Sequence, residues 1–180
     1  TPDSADHTDF GDVLLSGGTL TRTFTITNSG TYDLHLGEVT ISGDHAADFS
    51  MTSQPANPVA PGGSTTFQVT FDPSGLGART ASLSVTNNDA SENPFSFAIA
   101  GTGVTPEIAV SGNGQDITNG DNTPTTDDHT DFGSAVIADG TVSRTFTVTN
   151  SGNTAMTLGS VSITGTHSAD FSVTTDLPSS

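Results

Sequence analysis

The chain has 180 residues, with neither cysteine nor tryptophan, and carries 20 acidic side chains against three basic ones for a formal charge of −17. That length suits one or two small domains, and the missing cysteines exclude a disulfide scaffold and cysteine-ligated zinc. A surface this acidic repels phosphate backbones and anionic lipid headgroups, so nucleic-acid and membrane-surface roles are disfavoured.

The basic residues are Arg22, Arg79 and Arg144, and the absence of lysine also excludes a Lys-Asn isopeptide staple. No window approaches the roughly 20 apolar residues of a membrane-spanning helix, so no membrane insertion is expected in this segment. The opening Thr1-Pro2-Asp3-Ser4 does not read as a signal peptide and is expected to be an internal stretch of a larger polypeptide.

Taken in order, strands are predicted near residues 10–15, 20–27, 34–42, 48–52, 65–71, 79–86 and 94–100. Leu20, Phe24 and Ile26 alternate with Thr21, Thr23, Thr25 and Thr27, the period of a strand with one buried face. The alternation returns in Val39/Ile41, Phe67/Val69/Phe71, Leu83/Val85 and Phe95/Phe97/Ile99. Turns fall at Asn28-Ser29-Gly30, Pro61-Gly62-Gly63 and Asn87-Asn88-Asp89. No segment has helical periodicity. The fold class is therefore all-β, with tandem immunoglobulin-like antiparallel β-sandwiches of about seven strands in each complete unit.

After Gly101-Thr102-Gly103, a strand at Glu107-Ile108-Ala109-Val110 opens a second unit. Asp6-His7-Thr8-Asp9-Phe10-Gly11 recurs as Asp128-His129-Thr130-Asp131-Phe132-Gly133, and Arg22-Thr23-Phe24-Thr25 recurs as Arg144-Thr145-Phe146-Thr147, a period of 122 residues. Without a gap, 1–58 and 123–180 share 29 identical pairs, which indicates duplication. The domains are thus 1–105, a repeat lacking its opening strand, and 106–180, a second repeat lacking everything equivalent to 59–105, with an acidic inter-repeat loop at 111–131. Three readings of that incompleteness are open: a window on a repetitive polymer, a proteolytic fragment, or a subunit whose remaining strands come from a neighbour.

Phe71-Asp72-Pro73, Gly77-Ala78-Arg79-Thr80-Ala81-Ser82-Leu83, Asn87-Asn88-Asp89 and Ala100-Gly101-Thr102-Gly103 resemble the Hydin-like (ASH) branch of immunoglobulin-like domains, with a closer likeness to the bacterial choice-of-anchor D repeats. In that family a stretch like Pro106-Glu107-Ile108-Ala109-Val110, then Gly112-Asn113-Gly114, then an acidic loop ending Asp131-Phe132-Gly133, opens each repeat. The resemblance implies a secreted or surface-anchored bacterial protein built from many such modules.

The acidic loop holds Asn113, Asp116, Asn119, Asp121, Asp127, Asp128 and Asp131, with Asp6 and Asp9 as a weaker equivalent in the first unit. Calcium is a hard cation wanting 6 to 8 oxygen ligands, which such a loop can offer, so these residues are candidate calcium ligands and Ca2+ the candidate cofactor. The competing reading is a solvated acidic turn. His7, His129, His45 and His167 are expected to stabilise turns rather than bind transition metals. Arg22 and Arg144 share strand parity with Phe24 and Phe146 and are expected to pair with an aspartate.

No catalytic motif is present, and the expectation is a non-enzymatic structural module of a large repetitive extracellular bacterial protein, in a stalk, surface fibre or filament. A calcium-dependent adhesin or carbohydrate-binding module is the alternative, weakened by having Tyr32 as its one tyrosine and no tryptophan. Expected partners are adjacent repeats of the same protein, including a homopolymer, and a glycan or host surface is compatible.

Overall fold

The computed structural model describes residues 1–178 and divides the chain into two compact units, Thr1–Thr105 and Pro106–Ser180.

In the first unit, alternation of phenylalanine or valine with threonine gives strands that can bury one face and wet the other. The strands are β1 (Asp9–Leu14), β2 (Leu20–Thr27), β3 (Leu36–Ser42), β4 (Phe49–Ser53), β5 (Ser64–Phe71), β6 (Gly77–Asn87) and β7 (Phe95–Val104). They form two sheets, ordered β1-β7-β6-β3 and β2-β5-β4. Most neighbours are antiparallel, but β1 runs parallel to β7, with Asp9 opposite Ala100 and Leu14 opposite Val104. This one parallel pair departs from the purely antiparallel sandwich that the sequence suggests.

The apolar faces meet in one core. Phe10 sits edge-on to Phe49 at 5.5 Å and to Phe71 at 5.9 Å, Phe49 stacks on Phe71 at 4.8 Å, and Phe24 stacks on Phe67 at 5.3 Å. Leu83, Val69 and Ile99 are fully buried between them. The glycines after Ala100 follow from this packing: a Cβ on Gly101 would lie 2.4 Å from the Phe71 ring, and one on Gly103 would lie 2.1 Å from the Gly75 carbonyl oxygen.

The second unit contains β8 (Ile108–Gly112), β9 (Gln115–Ile117) and β10 (Phe146–Asn150), in the order β10-β8-β9. β9 corrects the expected loop, whose first part folds back on β8 through Asn113 (φ 51°) and Gly114 (φ 76°). Two left-handed residues make the tight turn that Asn-Gly favours. Two short 3₁₀ turns, Ala46–Asp48 and Ser168–Asp170, also escape the sequence reading, because three residues are too few to carry a period.

Of the four segments expected in the second unit, one forms a strand, and it is the counterpart of β2. The counterparts of β1, β3 and β4, residues 131–136, 158–164 and 171–175, have no ladder. The reason is topological: β1 pairs with β7, β3 with β6 and β4 with β5, and 106–180 holds no equivalent of those three partners.

Candidate functional site

The repeated acidic motif builds the same turn twice. In the first unit the Asp6 carboxylate accepts from the Thr8 amide at 3.0 Å and from the Thr8 hydroxyl, that hydroxyl accepts from the Asp3 amide at 2.8 Å, and Asp9 accepts from the Gly11 amide at 2.8 Å. In the second unit Asp128 accepts from the Thr130 amide at 3.0 Å and from the Thr130 hydroxyl, which accepts from the Thr125 amide at 2.9 Å, and Asp131 accepts from the Gly133 amide at 2.8 Å. The histidine between the aspartates stands in the left-handed region in both, φ 67° at His7 and 68° at His129. Asp and Thr side chains that bond to nearby amides shape turns in this way.

These bonds favour the charged carboxylates. The Thr8 hydroxyl holds the Asp6 carboxyl below the usual range, the Thr130 hydroxyl does so for Asp128, and the Thr123 hydroxyl for Asp121. The remaining candidates are spread along the loop. Asn113 Nδ2 donates to the Asp127 carbonyl at 2.9 Å, Asp116 lies in β9 opposite Ser111, and Asn119 lies in a turn closed by the Asp121 amide on the Thr118 carbonyl at 3.0 Å. Among the described residues, no group of three or more histidine, aspartate or glutamate side chains is gathered so as to hold a metal ion.

A second polar cluster was not foreseen. Asp48, buried at the end of a 3₁₀ turn, accepts a charge-assisted hydrogen bond from Arg79 Nε on β6 and one from the Ser74 amide at 3.2 Å. Burial pushes the Asp48 carboxyl up, but the bonds from Arg79 and Ser74 outweigh it and leave the group below the usual carboxylate range. Beside it, His45 Nδ1 accepts from the Thr80 amide at 3.1 Å, which ties the turn to β6. The arginine singled out in the sequence behaves differently: Arg22 is half-buried and its Nε has no hydrogen-bond partner, as has Arg144 Nε.

The first unit also has a groove of 280 Å³ beside β2, lined by Ile26, Asn28, Leu36, Asp89, Glu92 and Phe95. In the second unit the counterpart of β2 is β10. There β8 pairs antiparallel with β10, and the Ser151 amide donates to the Glu107 carbonyl at 2.7 Å. The Asn28 amide of the first unit donates instead to Gly63, at the start of β5, at 2.9 Å. Consecutive amides of a strand face opposite edges, so β8 occupies the edge of β10 that faces away from the β5 position. The corresponding edge of β2 borders the groove.

Several solved structures resemble the chain, the following three among them. The secreted serine protease VesC from Vibrio cholerae is 17% identical, with a TM-score of 0.45, over 55% of this chain and 22% of that one. The ASH/PapD-like domain 7 of human CEP192 is 19% identical, with a TM-score of 0.38, over 53% and 82%. The VesB protease of Vibrio cholerae is 18% identical, with a TM-score of 0.39, over 52% and 28%. The chain therefore spans less than a third of either protease. No curated protein matches the chain. Among the described residues, no helix is long and apolar enough to cross a membrane. Residues 4–102 match the family described as HYDIN/CFA65/VesB-like, Ig-like domain, and with its two-sheet first unit the chain belongs to that family.

Proposed function

We propose that the chain is a non-enzymatic structural module of a large repetitive extracellular bacterial protein, a spacer in a stalk, surface fibre or filament whose partners are adjacent repeats. One observation carries the reading: the side chains best suited to chemistry shape the backbone instead. Asp6 and Asp128 hold identical turns 122 residues apart, His45 fastens a 3₁₀ turn to β6, and Asp48 and Arg79 neutralise one another within the sandwich. Repeating such a unit adds length without adding a reaction. The acidic, lysine-free composition supports an exposed, solvated setting.

Immunogold labelling of intact cells of the source organism with an antibody to the first unit tests the reading. Label on surface projections of unpermeabilised cells is the expected result. Label that appears only after lysis would sink it.

A further inference from the structure

We infer that residues 54–59 are a strap that seals the outer edge of β3, with the carboxamides of Gln54 and Asn57 standing in for the peptide groups of a neighbouring strand. What the strap keeps out is the β3 of a second copy of this chain. The inference concerns the first unit alone and is independent of the cellular role proposed above.

β3 is the last strand of its sheet, so one side of it pairs with β6 and the other ends the ladder. An edge of this kind offers unpaired amides and carbonyls to any strand that meets it. Here they are occupied from within. Gln54 Oε1 accepts from the Val39 amide at 2.8 Å, and Gln54 Nε2 donates to the Val39 carbonyl at 3.0 Å. Asn57 does the same at Leu36, its Oδ1 accepting from the amide at 2.9 Å and its Nδ2 donating to the carbonyl at 2.8 Å. Beyond them Leu34 and Val59 exchange two main-chain bonds, each of 2.9 Å. A carboxamide carries both the donor and the acceptor of a peptide group, so each side chain completes a rung. The rungs follow one another in antiparallel order, 34 to 59, 36 to 57 and 39 to 54.

The strap also ends the sheet on its own far side. Pro55 and Pro58 have no amide hydrogen to offer, and the Ala56 amide donates to the Thr65 hydroxyl at 2.7 Å. Val59 anchors the strap, buried in the core with its carbonyl also held by Asn28 Nδ2 at 2.8 Å. The contact at Val39 recurs with a changed residue. Its counterpart Val161 gives its amide to Asp176, the counterpart of Gln54, at 3.2 Å. A carboxylate has no hydrogen for the carbonyl, but a charge on an edge also deters pairing.

Without the carboxamides, Leu36 and Val39 would stand bare, and Ile41 is turned to the same side as Val39 by the alternation of the strand. Such an edge is complementary to itself. In an antiparallel pairing centred on Thr40, Val39 of each copy bonds to Ile41 of the other. The two Thr40 residues then face each other as a non-hydrogen-bonded pair, with Cα atoms about 4.5 Å apart, a separation that a disulfide spans.

The chain has no cysteine, and Thr40 is exposed, so Thr40→Cys in the full chain reports this pairing. Copies of charge −17 repel one another, so the test is run with oxidised glutathione in about 0.15 M salt, where charges are screened beyond about 8 Å. Adding Gln54→Ala and Asn57→Ala to the reporter should give the disulfide-linked dimer at about tenfold lower protein concentration, the scale of one uncovered main-chain bond. The Val39 and Ile41 amides of that variant should exchange fast in dilute solution and slowly in concentrated solution. Adding Gln54→Glu and Asn57→Asp instead removes the same two donors but leaves the edge charged, and should link no more than the reporter alone. The inference is overturned if the reporter alone links as readily as the alanine variant, or if the alanine variant folds and stays unlinked. Equal linking by the acidic variant also overturns it, because association would then follow from a loosened fold rather than from an open edge. If the double alanine variant does not fold, Gln54→Ala is read against Gln54→Glu by the same outcomes.

Discussion

Asp48 and Arg79 join the end of the 3₁₀ turn to β6 through a charged hydrogen bond, with the carboxylate side chain 1% exposed and the guanidinium 18%. Removing one partner of a buried pair strands the other charge. Arg79→Met should therefore cost the first unit about 3 to 5 kcal/mol at neutral pH, read by urea denaturation of the full chain. The loss should depend on pH. The Asp48 carboxyl lies lower in the folded protein than in the unfolded chain, so its contribution is complete above the unfolded value of about 3.9 and disappears as pH falls through the lower folded value. The gap between Asp48→Asn and the parent should be level from pH 7 to 5 and close below about pH 4. A gap that widens on acidification would refute this account.

Gly101 has no room for a methyl group, because its neighbour is the immobile Phe71 ring in the centre of the core. Gly101→Ala should destabilise by about 1 to 3 kcal/mol through overpacking. In a domain of this size that is a melting-point drop on the order of 5 to 20 °C. Gly101→Ala combined with Phe71→Leu should recover part of the loss, because the clash is with the ring itself. An equal drop in both variants would place the strain elsewhere.

The turn bonds of Asp6, Asp9, Asp121, Asp128 and Asp131 account for most of the acidic candidates without a cation. Thermal unfolding in calcium and in excess EDTA should then give the same midpoint, whereas Thr130→Val, which removes a hydroxyl from Asp128, should loosen the second turn and speed exchange of the Thr125 and Asp131 amides. A calcium-dependent rise in the midpoint would establish the metal reading, since a ligand stabilises the state it binds.

Strand positions were legible because burial on one face imposes period 2. Leu20 to Thr27 carries that period, broken on its apolar face only by Arg22, and β2 has those bounds. Pairing across the chain was not legible. Arg22 shares parity with Phe24, yet the arginine that finds a carboxylate is Arg79, whose partner is 31 residues away with no local pattern linking them. β9 had its signal in Asn113-Gly114, masked by the acidic residues that follow. In the acidic motif the residue types pointed equally to ligands and to turns; the positive φ at His7 and His129, which shapes the two turns, is a backbone property that residue types do not announce.

The parallel ladder between β1 and β7 sets how the first unit would carry tension. Its first and last strands lie side by side with Asp9 opposite Ala100 and Leu14 opposite Val104. A pull on the start of β1 and the end of β7 drags the two strands past each other along their own length. Every rung, and the Leu15 amide on the Val104 carbonyl beyond the last of them, is then loaded at once in shear. An antiparallel terminal pair pulled in the same way would open one rung at a time, like a zipper. The register of one short strand thus makes this sandwich a link that resists stretching until the whole clamp gives way.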